Sequence, residues 1–456
     1  MIKTVRDAWQ IPELRRKILF TIFALLIFRL GAAIPVPYIN TAGLETYLSA
    51  QSGTILGLMN AMSGSAFSMA TLFALSIQPY INSSIIIQLL TVAIPALERL
   101  AKEGGEEGRK KIASITRYTT VAIGLIQGFG YYSLINSYGL VETEGLPAVW
   151  VAIVIILSFT AGSAFLMWLG EQITEFGIGN GISVLLFAGI VSRFPHMLRD
   201  MISGIQAYLN PRTEEQLAAM TEVERAAYEN SILAPWMIAV IVVGMLALVV
   251  LIVFISNSER RLPVQYAKRV VGRKVYGGQN TNLPIKVNMS GVMPVIFAQS
   301  IAALPATIFA FTNPNGTSGN GFVQFLINMF DSSSWFYAFL YFILIIAFAY
   351  FYAAVQYDPV EIANNLKKNG GFIPGFRPGK PTADFIARVI HKITFFGAIY
   401  LAIVALLPII AGNTISGASA LGIGGTSVII VVGVALETVQ ALEAQMLMRH
   451  YKGFLE

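Results

Sequence analysis

Residues 70–97 read ATLFALSIQPYINSSIIIQLLTVAIPAL and close a longer segment, 46–97, that carries no charged side chain. A helix crosses a bilayer with about 20 apolar residues. The segment is therefore too long for one crossing and too apolar for a loop in water. The spacing predicts a span over 71–93. Upstream, the apolar run 55–68 is interrupted by Ser63-Gly64-Ser65. Broken backbone at membrane depth is tolerated only where protein or a water cavity surrounds it. Residues 55–67 read either as a short re-entrant half-helix or as a surface loop with an amphipathic turn, and hydropathy leaves both open.

Working outward, the whole chain has the same character. It has 456 residues, 55% hydrophobic and 12% charged, where a soluble domain averages about 25% charged. So little charge cannot cover a soluble surface of this size, which excludes an ordinary cytosolic enzyme and a disordered chain. Ten candidate spans emerge: 18–34, 71–93, 118–137, 148–169, 178–191, 235–255, 287–311, 335–355, 393–411 and 426–440. The fold class expected is all-α, a polytopic membrane protein. The first apolar run leads to Arg29 and Ile34-Pro35-Val36-Pro37 with no small-residue cleavage site, so it reads as a retained span.

Charge sets the orientation. Residues 1–17, 94–117, 256–290, 357–392 and the tail hold 26 of the 31 Lys and Arg residues. The alternate loops 35–70, 138–147, 310–335 and 412–425 hold none. Ten spans with both termini cytoplasmic satisfy the positive-inside rule at every loop. Five spans precede the long polar loop 192–234 and five follow it. Five is odd, so the second half is inverted relative to the first, and inverted halves commonly enclose a central path. The expected division is 1–195, an external hinge loop 196–234, 235–446, and a cytoplasmic tail 447–456.

The interior offers little chemistry. Cysteine is absent and the three histidines, His196, His391 and His450, are far apart, so no metal site, thiol nucleophile or cofactor is expected. Gly104-Gly105-Glu106-Glu107-Gly108-Arg109-Lys110 fails the spacing of a phosphate loop. No enzyme motif occurs, so an energy source has to come from another protein or from the membrane potential. Arg29, near the outer end of its span, reads as a snorkelling cation. Glu437 reads as an interfacial carboxylate. The second span is different: Gln78, Asn82, Ser83 and Gln88 need polar partners or water on one face. Ile81 and Ile85 share a helical face, and Ile182 and Leu186 repeat that spacing. Apolar constrictions can close a wet pore by dewetting, although ordinary helix packing accounts for any single isoleucine.

Two cytoplasmic loops exceed what topology requires. Arg260, Arg261, Lys268, Arg269, Arg273 and Lys274 lie in a loop that alternates apolar and polar residues up to Gly277-Gly278, a hairpin signature. The second loop is Gly370-Gly371-Phe372-Ile373-Pro374-Gly375-Phe376-Arg377-Pro378-Gly379. Basic loops retain cytoplasmic placement by themselves, but arginines placed in structured loops suit phosphate or carboxylate partners. That points to docking of an acidic or nucleic-acid-containing machine.

At these residues a resemblance becomes clear. Ile34-Pro35-Val36-Pro37, Pro79-Tyr80-Ile81, Glu175-Phe176-Gly177-Ile178-Gly179-Asn180-Gly181, Arg261-Leu262-Pro263-Val264-Gln265-Tyr266, Met289-Ser290-Gly291-Val292-Met293-Pro294, Phe372 through Gly379, and Gly424-Gly425-Thr426-Ser427 occur in order along essentially the whole chain. Together they resemble the SecY family, pore subunits of bacterial Sec protein translocons. The resemblance implies two inverted five-helix halves around a central pore that passes unfolded secretory polypeptides and releases apolar segments sideways into lipid. It implies a pore ring of Ile81, Ile85, Ile182, Leu186, Met293 and Ile430. It implies a re-entrant plug helix including Leu56, Met59, Met62, Ser63, Gly64 and Phe67. Gln78, Asn82, Ser83 and Gln88 would be polar groups of a lateral gate. Arg260, Arg261, Lys268, Arg269, Arg273, Lys274 and Arg377 would dock the SecA motor or the ribosome through its rRNA. SecE and SecG would be partner subunits, signal sequences and membrane lipids further partners, and the bacterial plasma membrane the location.

The chain departs from the family pattern at Leu186 and Met293, where isoleucine is common, and at Gln78, where an apolar residue is common. Tyr38 stands where a glycine usually follows Ile-Pro-x-Pro. The competing readings are a small-solute secondary transporter and a membrane scaffold. Scarce intramembrane charge argues against the first. The second predicts no conductance when the plug is removed.

Overall fold

The computed structural model describes residues 2–50, 60, 63–143, 145–212, 225, 228, 232, 234–266, 269–271, 274–276, 280–312, 325, 328–330, 334–414 and 425–452. The amino-terminal part comprises α1 (Ile2–Gln10), α2 (Pro12–Gly31), α3 (Thr41–Ala50), α4 (Gln78–Ala93), α5 (Pro95–Lys102), α6 (Gly105–Ser137), α7 (Ala148–Phe176), α8 (Gly181–Ser192) and α9 (Phe194–Leu209). The carboxy-terminal part starts with α10 (Pro235–Ser256) and a ribbon of β1 (Glu259–Tyr266), β2 (Arg269–Val271), β3 (Lys274–Tyr276) and β4 (Asn280–Lys286). It continues through α11 (Met293–Thr312), α12 (Trp335–Gln356), α13 (Pro359–Lys368), β5 (Gly371–Phe372), α14 (Lys380–Thr414) and α15 (Gly425–Lys452).

Among the described residues six helices are long and apolar enough to cross a membrane: 148–176, 181–209, 235–256, 335–368, 380–407 and 427–447. The pair α4 and α5 adds a seventh if its 105° bend is taken as one broken span. The bend lies at Ile94-Pro95: proline forces the residue before it out of the helical region, and Ile94 is extended at φ −107°, ψ 113°. Helix α2 is long enough but keeps Arg15, Arg16, Lys17 and Arg29 along its length. Helix α6 is diluted by Gln127, Tyr131 and Tyr132. Local chemistry sets several boundaries. Asn180 caps α8 by accepting from the Ile182 N–H at 3.0 Å, and Asp358 caps α13 by accepting from Val360 at 2.8 Å, as short polar side chains do at helix starts.

Three features differ from expectation. First, the predicted span 71–93 is helical only from Gln78. Residues 63–77 form a chain of turns, with Ala70 and Ser76 at φ 45° and 52°. Two of their backbone groups pair with the extended entrance segment 34–38: Val36 donates to the Ala70 carbonyl at 2.9 Å and Leu72 to that of Ile34 at 3.0 Å. Phe67, Ala70, Phe73, Leu75 and Ile77 are buried, so irregular backbone sits inside protein, as membrane physics requires. Of the two readings of 55–67, the described part Ser63–Phe67 is neither helical nor at the surface, and residues 55–59, 61 and 62 lie outside the described residues.

Second, the fold is not wholly helical. Strands β1 and β4 pair antiparallel, Leu262 opposite Leu283 and Val264 opposite Thr281. Strand β5 adds to the other edge of β1 at Gln265 and Tyr266. The period-2 pattern sends Leu262 and Val264 inward, where they form a second core with Ile285, Ile373, Ile386 and Ile390. Third, the hinge loop begins with a helix, α9, which starts at Phe194-Pro195. Helix α10, in contrast, buries only Ile252.

Candidate functional site

The residues expected to line a pore come from four helices. Ile81 and Ile85 on α4, Leu186 on α8 and Ile430 on α15 are buried. Ile182 on α8 and Met293 at the start of α11 are half-buried, and all six pack into one continuous apolar core. The sequence places these helices far apart; the fold brings two from each part together.

The turn segment lies against this core. The Phe67 ring stacks on Tyr131 at 4.3 Å between centroids, and Tyr131 in turn lies 5.0 Å from Phe159. The Tyr131 hydroxyl donates to the Phe67 carbonyl. The Ser63 hydroxyl accepts from the Phe67 N–H at 3.0 Å and donates to the Asn60 carbonyl at 3.1 Å. Gly64 has φ +68°, and a Cβ there would lie 2.8 Å from the Gly189 carbonyl oxygen, so both conformation and space call for glycine. Arg29 is exposed and donates to the Gly64 carbonyl at 3.4 Å. Leu56, Met59 and Met62 lie outside the described residues.

The polar face of α4 finds partners. The buried Ser83 hydroxyl donates to the Thr116 carbonyl on α6 at 2.8 Å. Gln88 donates to Ser84 at 3.3 Å and accepts from the Tyr352 hydroxyl on α12 at 3.0 Å. Asn82 is buried and Gln78 half-buried. Tyr352, Tyr131 and Thr116 were missed by sequence reasoning. Each is an ordinary helix residue, and only the fold shows its partner.

The basic residues of the two long loops lie in one body. The hairpin expected from alternation is present, and β5 joins the second loop to it in one sheet. Arg260 and Arg377 are exposed. Arg261 is exposed and paired with Glu259 at 2.6 Å. The Arg377 turn is held from both sides: its carbonyl accepts from the Thr382 hydroxyl at 2.8 Å, and neighbouring Phe376 stacks on Phe385 at 4.1 Å. Arg269 and Lys274 lie on the β2–β3 ribbon, while Lys268 and Arg273 lie outside the described residues.

The SecY family model matches residues 71–439. The chain is 40% identical over 467 aligned residues to the protein translocase subunit SecY of Streptomyces lividans, covering all of both chains. It is 41% identical to that of Thermotoga maritima, over all of this chain and 98% of the relative. The chain belongs to the SecY family. Solved structures agree on the fold. A protein-conducting channel superposes with a TM-score of 0.60 at 18% identity, covering 95% of this chain and 92% of the other. Sec61 in the canine ribosome–channel complex of the endoplasmic reticulum gives 0.56 at 17% identity, covering 95% and 92%. The chain is thus a multi-pass membrane protein with the fold of a protein-conducting channel, and its relatives are protein translocase subunits. The entrance segment shows one family departure in physical terms. Tyr38 holds φ +67°, a left-handed conformation in which the glycine expected there is unstrained, and its ring packs on the core instead.

Proposed function

We propose that the chain spans the bacterial plasma membrane ten times with both termini cytoplasmic, and that unfolded secretory polypeptides pass between two inverted halves, 1–195 and 235–446. Ile81, Ile85, Ile182, Leu186, Met293 and Ile430 form the constriction. The segment around 55–67 is the plug, and a lateral gate lies between α4 and α6 on one side and α11 and α12 on the other, with Gln78, Asn82, Ser83 and Gln88 as its polar groups. The basic body around Arg260, Arg261 and Arg377 docks the SecA motor or a ribosome. SecE and SecG complete the complex.

The observation that carries this reading is that six apolar side chains, from helices of both halves, belong to one apolar core beside buried non-helical backbone. A channel for unfolded chains has to admit every side chain, so it cannot bind any of them specifically. An apolar ring meets that requirement and excludes water when empty. A gate open to lipid lets apolar segments partition outward, where each central Leu or Ile gains about 0.3–0.6 kcal/mol. The test is translocation into sealed liposomes containing the chain with SecE and SecG. SecA and ATP are supplied outside and entry is scored by protease protection. ATP-dependent protection that falls at least tenfold in Arg377→Glu is expected, since reversing one charge at a docking contact costs about 1.4 kcal/mol or more. Protection unchanged in Arg377→Glu removes that residue from the docking face. No protection with the unmodified chain, when a control channel works, rejects the translocation reading.

A further inference from the structure

The stretch between β4 and α11 joins the basic cytoplasmic body to a helix of the core, and α15 grips it at both ends. At the first end, the Lys286 ammonium donates to Gln440 at 2.6 Å, and Gln440 donates onward to Asn257 at 3.4 Å. Beside it, the Val287 N–H donates to the Ser258 carbonyl at 2.9 Å, which ties the connector to the start of the hairpin. At the second end, the Val292 N–H donates to the Glu437 carboxylate, one residue before α11 begins. Glu437 and Gln440 are three apart on α15 and share a face.

The connector is shaped for this contact. Gly291 has φ +62°, and a Cβ there would overlap the Glu437 carboxylate. One turn earlier on α15, a Cβ at Gly433 would overlap the Val292 side chain, which is buried. Two glycines on facing segments therefore make room for one carboxylate to reach one backbone N–H. The first N–H groups of a helix have no partner within it, and a carboxylate at that end is favoured by the helix dipole as well. The Lys286 ammonium, held on the same face of α15 by Gln440, also faces the Glu437 carboxylate, so both ends of the connector meet one stretch of α15.

We propose that Glu437 is a positioning residue that pins the cytoplasmic start of α11, so that α15 governs how movement of the basic hairpin reaches that helix. Pulling on β4 loads the connector, and the Glu437 contact decides whether α11 follows. This rests on the reading of α11 as a wall of the gate. In that reading, releasing the pin lowers the threshold for opening, and precursors with weakened signal sequences gain passage.

The chain has no cysteine, so paired spin labels can be placed at Leu304→Cys on α11 and Val92→Cys on α4, both exposed positions. Their distance distribution is measured in the reconstituted complex of the chain with SecE and SecG, for the otherwise unmodified chain, Glu437→Ala and Glu437→Gln. Export of a precursor whose signal core is interrupted by a charge is measured beside that of the normal precursor. Glu437→Ala should broaden or shift the distance and raise the defective-to-normal export ratio roughly tenfold or more, the range produced by losing one hydrogen bond to a charged group. Glu437→Gln keeps an oxygen acceptor at the same position and should stay close to the unmodified chain in both readouts. Equal distances for Glu437→Ala and the unmodified chain overturn the proposal, whatever export does. So does a Glu437→Gln variant as disturbed as Glu437→Ala, because the acceptor is then not the cause. If the unmodified chain exports neither precursor but the alanine distance shifts, the pin stands and the channel reading is what fails.

Discussion

Two seams around α4 are built differently. Toward α6 and α7, polar and steric contacts are dense, and the closest of them are buried. Ser83 bonds the Thr116 carbonyl, and Arg117 reaches Glu171 with two nitrogens, at 3.0 Å and 2.9 Å. Gly162 lets α7 press onto the Leu72 carbonyl, where a Cβ would overlap it. Toward α12, the Tyr352 hydroxyl bonds Gln88, and the neighbouring surface is aromatic, with Phe297 5.2 Å from the Tyr352 ring. Helices tied by buried carbonyl contacts move together, because separating them strands polar groups in a dry interior. A seam of rings with a half-buried polar contact can part and be resealed by lipid or by an apolar peptide. Under the proposed lateral gate, the first seam is the rigid side of α4 and the second the separable one.

The sharpest way to break the comparison is to attack the rigid seam. Gly162→Val drives a branched side chain into the Leu72 carbonyl, with no flexible neighbour able to yield. Overpacking costs typically 1–3 kcal/mol where the surroundings relax, and here the obstacle is backbone. The expected result is loss of folded protein from the membrane, read as protease sensitivity and low yield after detergent extraction. Wild-type yield and resistance would mean that α7 can slide on the turn segment, and the rigid side would have to be placed elsewhere.

This seam also shows where sequence reading stops. The positions of the apolar helices were legible, because hydropathy over about 20 residues reports a crossing directly. The hairpin was legible too: Leu262 and Val264 alternate with exposed Arg261 and Pro263, and the structure buries the first two. The turn segment 63–77 was not, because an apolar run of that length has the same composition whether it coils or helices. What straightens or breaks it is tertiary: Val36 and Leu72 exchange backbone bonds with segments distant in sequence. The joining of two basic loops by β5 was likewise invisible, since a two-residue strand leaves no periodicity to detect. Of the site, Ile81 and Ile85 could be placed on one face by spacing alone. Tyr352 as partner to Gln88 could not, as nothing in a tyrosine-rich helix marks one hydroxyl over another.

A smaller effect sharpens the separable side. Tyr352→Phe removes a hydroxyl and leaves ring packing intact. A net hydrogen bond contributes about 0.5–1.5 kcal/mol, so the equilibrium between closed and parted seams should move by roughly twofold to tenfold. Global stability should hardly change. Expected is increased export of precursors with weakened signals, with an unaltered thermal midpoint in detergent. If the midpoint falls by as much as that of a core variant while export selectivity stays fixed, Tyr352 belongs to the rigid framework and the two seams are alike.

The smallest effect expected lies back on the rigid side, where the most conspicuous ion pair contributes least. Arg117 and Glu171 join α6 to α7 in a two-pronged geometry, yet their side chains are 51% and 24% exposed. Exposed pairs contribute about 0–1 kcal/mol after solvent screening. Arg117→Ala should therefore lower the thermal midpoint by no more than ~1–2 °C, less at high salt than at low, and leave export selectivity alone. The buried Ser83–Thr116 and Gly162–Leu72 contacts carry the seam in this account, and the ion pair only trims it. A fall of many degrees that persists in molar salt would reverse the order, making the Arg117–Glu171 pair, rather than close backbone packing, the reason one side of α4 holds while the other parts.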